Sequence, residues 1–369
     1  MSENIPKGWK WVKLGEVAEI KMGQSPESKY YNDKGIGLPF LQGNKTFGYR
    51  YPEIDMFCSN PIKIARKGEI LISVRAPVGD INITNQDICI GRGLASINSL
   101  FNQNEFLFYC LKYSKNDLLA SETGTVFGSI NKDTLNNFPI LLPPLPEQKA
   151  IAEVLLSLDD KIELLHRQNK TLEEMAMTLF RKWFIEPTKD GLPEGWEIGK
   201  FEENLKIVYG KNLLTSKLKD SGYPVFGGNG KIGYYTEYMY EESQVLISCR
   251  GEASGKVNIS DPKSYITNNS LILERAKNKN ISFEYLKYYC LNYDFTQFVT
   301  GSAQPQITIE ELNNAEILIP PSILINKFSK IISNFETKIF SNKIQIQTLE
   351  KLRDTLLPKL MSGEVRVKF

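Results

Sequence analysis

Two stretches of this chain carry apolar residues at the steps of a coiled coil. After Pro143 and Pro144, the positions Ile151, Leu155, Leu158, Ile162, Leu165, Asn169, Leu172, Ala176, Leu179 and Trp183 are separated by alternating steps of four and three. After Pro320 and Pro321, the same rhythm runs through Phe328, Ile332, Phe335, Ile339, Asn342, Ile346, Leu349, Arg353, Leu356 and Leu360. Such spacing keeps one stripe turned toward a partner helix as the two supercoil. It predicts two helices of about 35 to 40 residues, each a rod on the order of 50 Å at 1.5 Å per residue. A rod of that length with one apolar stripe needs a partner. The other rod offers the matching stripe, so the two are expected to pair antiparallel. Asn169, Asn342 and Arg353 either weaken that packing while setting its register, a use that coiled coils make of a polar seam residue, or sit at a solvated edge of it.

Outside these helices the apolar runs are short. Residues 69–74, 82–84, 244–248 and 264–267 are rich in β-branched side chains and bounded by Gly, Pro and Asn, which predicts strands. Residues 106–113 and 283–292 read as short helices. The expected class is α+β, with mixed, irregular sheets. The Pro and Gly content of residues 186–193 marks a linker after the first long helix, and Gly363 marks the stop of the second.

The two halves are versions of one another. A shift of 187 lays Pro6, Gly8, Trp9, Lys13, Glu16, Ile20 and Gly23 onto Pro193, Gly195, Trp196, Lys200, Glu203, Ile207 and Gly210, and a shift of 177 lays Gly124, Ile130, Leu135 and Pro143 onto Gly301, Ile307, Leu312 and Pro320. In the middle the offset drifts through 185, pairing Asn44 and Tyr49 with Asn229 and Tyr234, and 175, pairing Ser73 and Arg75 with Ser248 and Arg250. Insertions confined to the middle are what two homologous modules show when their frames agree and their variable parts do not. The repeat divides the chain into a first module over residues 1–143, a helix over 144–185, a second module over 186–320 including its linker, and a second helix over 321–363.

Composition narrows the class. At 369 residues with 41% hydrophobic content, the chain is long enough for two cored domains. The apolar stretches are too short to span a bilayer, and the N-terminus lacks the apolar core of a signal peptide, so no membrane is expected and the cytoplasm is the expected location. Five cysteines without a C-x-x-C pair suggest neither disulfides nor zinc; Cys110 and Cys290, at matching places, read as buried helix positions. The net charge of +2 neither demands nor excludes nucleic acid, which leaves local clustering to decide.

Strand-like pieces end in glycine-rich loops that carry basic or amide side chains. The candidates are Gln42, Asn44, Lys45, Arg50, Arg75 and Arg92 in the first half, and Lys211, Asn229, Lys231, Arg250, Lys256, Gln304 and Gln306 in the second. Arg, Lys, Asn and Gln present the donors and acceptors that meet phosphates and base edges. Catalytic patterns are missing. The single histidine, His166, lies on the first long helix off its seam, which removes histidine metal clusters and Ser-His-Asp triads. Residues 228–233 spell G-x-G-x-x-G but run into a strand-like sequence, whereas a dinucleotide fingerprint opens a helix. Residues 251–257 are one residue short of a phosphate loop and read as a turn.

Together these motifs resemble the specificity subunit of type I restriction-modification systems over essentially the whole chain. They are P-x-G-W with KLGEVAEI at 6–20, LLPPLPEQKAIAEVL at 141–155, LFRKWFIEP at 179–187, PEGWE at 193–197 and LLPKLMSGEVRV at 356–367. The resemblance implies two target-recognition domains, each reading one half of a split duplex DNA sequence, joined by two long antiparallel coiled-coil helices with a pseudo-two-fold repeat. It implies docking of two modification subunits that bring S-adenosylmethionine and methylate adenine at N6. It also implies separate restriction subunits that bring ATP and magnesium, with none of these cofactors bound by this chain. The second helix opens with PPSILINKF where the first has PPLPEQKAI. A reading of another class is a coiled-coil adaptor whose modules bind protein and have no DNA specificity.

Overall fold

The computed structural model describes residues 5–120, 128–301 and 304–368; residues 1–4, Gly124, Ser302 and Ala303 lie outside the described residues. Four helices of ten or more residues are present among those described: α1 (Asn104–Tyr113), α2 (Leu145–Phe180), α3 (Phe283–Asn292) and α4 (Ser322–Ser362). The chain forms two compact units, Met1–Arg167 with Asn342–Phe369, and Gln168–Ser341. Each unit therefore takes in a portion of both long helices.

In the first unit, Lys10–Lys13 pairs antiparallel with Pro139–Leu142. Four strands form an antiparallel sheet in the order Ala18–Met22, Leu94–Ser99, Ile70–Ser73, Ile81–Ile83. A second sheet holds Leu38–Leu41 parallel to Ile88–Ile90. Ile70–Ser73 is buried throughout because its two faces serve different cores. Ile70 and Ile72 join the main core, and Leu71 joins Leu41, Ile88, Ile90 and Leu94. A strand covered on both sides reads as a continuous apolar run without alternation, which is how residues 69–74 look in the sequence.

The main core of this unit includes Phe106, Leu107 and Leu111 of α1, Ile151 and Leu155 near the start of α2, and Leu360 and Met361 at the end of α4. Further along, Ile162 and Leu165 meet Ile346 and Leu349. Low numbers on α2 face high numbers on α4, so within the unit the helices run antiparallel. Burying a Leu or Ile stabilises by about 1.5 to 3 kcal/mol, which is why tertiary packing holds helices whose own propensity would not.

The second unit repeats the plan. Glu197–Lys200 pairs with Glu316–Ile319, and an antiparallel sheet has the order Lys206–Tyr209, Ser270–Glu274, Val245–Ser248, Val257–Ile259. The first sheet of the other unit has the same order, so the internal repeat is a repeat of topology. Here Tyr223–Gly227 and Gly230–Tyr235 form a hairpin. Phe180 and Phe184 pack edge-on around Phe328 at 5.9 and 5.1 Å, inside a core that also takes Ala176, Ile325, Ile332 and Tyr285.

The seam residues Ile151, Leu155, Ile162, Leu165 and Asn169 are buried, as are Phe328, Ile332, Ile339, Asn342 and Ile346. Leu158, Leu172, Phe335, Leu349 and Leu356 are half-buried. At the end of α2 the buried positions are Phe180 and Phe184, while Leu179 and Trp183 are half-buried. A straight helix falls behind a seven-residue repeat by about 20° per heptad. Four heptads after Ile151 the lag approaches one residue, and Phe180 takes the inward place. α2 then passes through a π-helical turn at Arg181–Ile185 and a tight turn at Glu186–Thr188 with Pro187 at its start. α4 ends at Gly363, whose φ of +75° suits glycine.

Candidate nucleic-acid interface

The loops of the first module are held by close backbone crossings. A Cβ on Gly23 would lie 2.2 Å from the carbonyl oxygen of Gly91, and one on Gly210 in the second module 2.2 Å from that of Thr267. Only glycine permits either approach. Beside Gly23, the Ser25 hydroxyl donates to Gln42 Oε1 at 2.9 Å and accepts from the Arg92 main-chain N–H at 3.2 Å. This leaves Gln42 and the Arg92 side chain exposed, with Lys45 exposed nearby in sequence.

Arg75 follows the strand Ile70–Ser73 and is exposed, its main chain bridged to Ser129. The turn that carries it is tied by Ser73, whose hydroxyl donates to Pro77 O at 2.8 Å and accepts from Asp80 N at 2.9 Å. Asn44 is a brace in the same network. It donates to Asp80 Oδ2 at 2.6 Å and Pro77 O at 3.2 Å, and Asp80 also pairs with Lys115 at 2.7 Å.

Arg50 is not on the exposed face. It is 7% exposed, and its guanidinium pairs with Asp160 of α2. It stands at the tip of a hairpin-like turn closed by Phe47 against Pro52 and by Gly48 N–H to Tyr51 O, and that tip reaches the helices. Its place among polar loop residues in the sequence gave no sign of this.

In the second module Arg250 follows the strand Val245–Ser248, is exposed, and has its main chain bridged to Gln306. This matches Arg75 in place and in bridging. Asn229 is exposed between the hairpin strands, and Lys231 lies 4.2 Å from the Tyr234 ring with its Nζ 3.0 Å from the hydroxyl. Lys211, Lys256, Gln304 and Gln306 are exposed as well. Among the described residues, Lys45, Arg75, Arg92, Lys211, Lys231, Arg250 and Lys256 make no ion pair with one another or with any acid. Exposed cations without acidic partners are available to phosphates and base edges.

One group was missed by the sequence reading. Asp159 of α2 is 0% exposed and accepts from Tyr49 Oη at 2.6 Å, Tyr109 Oη at 2.8 Å and Arg353 Nη1 at 3.0 Å. Arg353 also contacts the Tyr49 hydroxyl. Burial pushes the Asp159 carboxyl upward, but its hydrogen bonds and the nearby Lys112 charge outweigh that and hold it below the usual range. Burial, then the Asp159 charge, raises Tyr109 far above an ordinary phenol. A carboxylate beside the seam is a sequence signal, since the 177-residue offset places Glu336 opposite it in the repeat. Glu336 takes Lys287 at 2.6 Å and Tyr288 Oη at 3.0 Å.

The rejected patterns sit as expected from their sequence. The glycine-rich motif runs into the strand Gly230–Tyr235, residues 251–255 are turn, and His166 is exposed on α2. All five cysteines are buried, and burial lifts the Cys110 thiol to about 12. No helix of the described residues is long and apolar enough to cross a membrane.

A family model described as the type I restriction modification DNA specificity domain matches residues 6–174 and 193–351. The chain is 27% identical over 417 residues to the type I restriction enzyme MjaIX specificity subunit of Methanocaldococcus jannaschii, covering 99% of this chain and 95% of that protein. It is 46% identical over 174 residues to the putative type I restriction enzyme MjaX specificity subunit of the same organism, covering 46% and 41%. The crystal structure of the type I restriction-modification S subunit of M. genitalium superposes with a TM-score of 0.62 at 20% identity, covering 98% and 97%, and shares the fold.

Proposed function

The chain belongs to the type I restriction-modification DNA specificity family, and we propose that its two modules each read one half of an asymmetric, bipartite duplex target. The observation that carries this is the matched pair Arg75 and Arg250. Each is an exposed arginine at the same strand end of its repeat, tied through its main chain to the module and free of acidic partners among the described residues. The frame repeats while the loops around it differ, so the two half-sites should differ too.

In this reading residues 1–143 and 186–320 are the readers, and the helices over 144–185 and 321–363 set the spacer and dock two modification subunits. Those subunits bring S-adenosylmethionine for adenine N6 methylation, and restriction subunits bring ATP and magnesium. This chain contributes recognition and no reaction chemistry, and it acts where the DNA is, in the cytoplasm. The adaptor reading gives the exposed cations no task, and the match to a DNA specificity domain supports DNA reading over it.

Duplex binding by the chain assembled with its modification partner tests this. Counterions released from phosphates make affinity fall steeply with salt. Binding that ignores both salt and duplex sequence would instead support an adaptor.

A further inference from the structure

The turn over residues 44–53 has two ends with different duties. Its base adjoins Gln42 and contains Lys45, two of the candidate reading residues, with Asn44 bracing the base through Asp80 and Pro77. Its tip, Tyr49 and Arg50, lies on the helices within the same unit. There Tyr49 packs against the cluster of Ile162, Leu165 and Ile346, its ring centroid 5.4 Å from that of His166, and its hydroxyl donates to Asp159 at 2.6 Å. Arg50 pairs with Asp160 one residue on. The turn is also stitched to its own sheet, since Asn82 Nδ2 donates to Gly48 O at 3.1 Å and Ile83 N to Arg50 O at 3.0 Å. A short segment fixed at its tip by two partly buried, charge-assisted bonds has less freedom left at its base.

The repeat does not copy this arrangement. Tyr234 matches Tyr49 in the sequence, but its hydroxyl meets Lys231 of its own hairpin and its main chain pairs with Lys219, just before that hairpin. Glu336, the counterpart of Asp159, is bonded by Lys287 and Tyr288 of α3 instead. Among the described residues, only the first module has a loop bearing candidate reading residues that is bonded to the long helices.

We propose that Tyr49 is a positioning residue for sequence discrimination by the first module: by bonding Asp159 on α2 it fixes the turn over residues 44–53, and with it Gln42 and Lys45, relative to the helices. This rests on the reading of the chain as a two-module DNA specificity subunit. Tyr109 supplies the control. Its hydroxyl bonds the same carboxylate, yet it sits on α1 and bears no reading loop. A role limited to stability predicts that losing either hydroxyl has the same effect.

The test compares N6-methyladenine maps from cells expressing the modification partner with the wild-type chain, Tyr49→Phe or Tyr109→Phe. Tyr49→Phe is expected to relax base preference at one half-site by about tenfold, the worth of one good base contact, and to leave the other half-site unchanged. Tyr109→Phe is expected to leave both unchanged. Identical behaviour of the two variants, or an unaltered motif with Tyr49→Phe, overturns the proposal. Should Tyr49→Phe not accumulate, Arg353→Lys, which keeps the charge and removes the guanidinium contact to Tyr49, is scored in the same way. A wild-type map without any bipartite motif would sink the two-module reading and the inference with it, whereas a bipartite motif indifferent to Tyr49→Phe, or to Arg353→Lys where that variant stands in for it, sinks the inference alone.

Discussion

The indole Nε1 of Trp9 lies 3.0 Å from Oε2 of Glu147, joining residues 138 positions apart in the chain. Arg366 reaches the same carboxylate, with Nη2 2.8 Å from Oε2 and Nε on the other oxygen. Glu147 is 0% exposed and the Arg366 side chain 42% exposed. The start of the first module, the start of α2 and the C-terminal residues thus converge on one buried acid. Glu147→Ala should destabilise the first unit by about 2 kcal/mol, because it strands a buried indole N–H and an arginine. Arg366→Ala should cost less, since water already solvates part of that guanidinium. Urea unfolding followed by tryptophan fluorescence measures both, and equal losses would contradict the account.

Gly363 ends α4 at a φ of +75°, and a Cβ there would lie 2.4 Å from Pro6 Cγ. A proline ring cannot swing aside as a lysine end would. Gly363→Ala is therefore expected to lower the melting temperature through both strain and overpacking, at a cost of about 2 kcal/mol. Calorimetry of the purified chain is the check, and a neutral result would mean that the two chain ends part freely.

Arg75→Ala and Arg250→Ala should separate the two readers. Each is exposed, so thermal stability should hold in both. Each should weaken recognition by about 1 to 3 kcal/mol if its arginine reads a base. Competition binding with duplexes altered in one half-site at a time resolves this. The expected result is that the two variants lose discrimination at different half-sites, and loss at the same one would count against the twin-reader scheme.

Much of the architecture was legible because it is periodic or repeated. The heptad steps locate α2 and α4, and the offsets pair strands that occupy equal places in two equivalent sheets. Glycine at 23 and 210 is legible as repetition, though not as the backbone crossing that requires it. Buried polar chemistry was less readable. Asp159 looks like a solvated neighbour of Leu158, because its partners Tyr49, Tyr109 and Arg353 lie 110, 50 and 194 positions away. For the same reason Arg50 passed for a surface base. Phe180 was missed in favour of Leu179 because a strict heptad count ignores the drift of a straight helix.

The buried acid also predicts a pH response. The Asp159 pKa is held down in the folded chain, so its contribution is fully present above the unfolded carboxyl value of roughly 3.9 and is lost as pH falls through the lower folded value. Asp159→Asn should therefore be less stable than wild type by a constant amount from neutral pH down to about 5, with the gap closing in stronger acid. Urea midpoints across that range measure it. A gap that widens on acidification would reverse the sign of the shift and contradict the hydrogen-bonding scheme.

The most direct measurement is a genome-wide map of N6-methyladenine in cells that express this chain with the modification subunit proposed as its partner. A single asymmetric motif of two specified parts separated by an unread spacer is expected. Deleting one heptad from both long helices should shorten that spacer by about three base pairs, since seven residues span roughly 10 Å, and leave both half-sites as they were. A palindromic or uninterrupted motif, or half-sites that change while the spacer stays fixed, would contradict it.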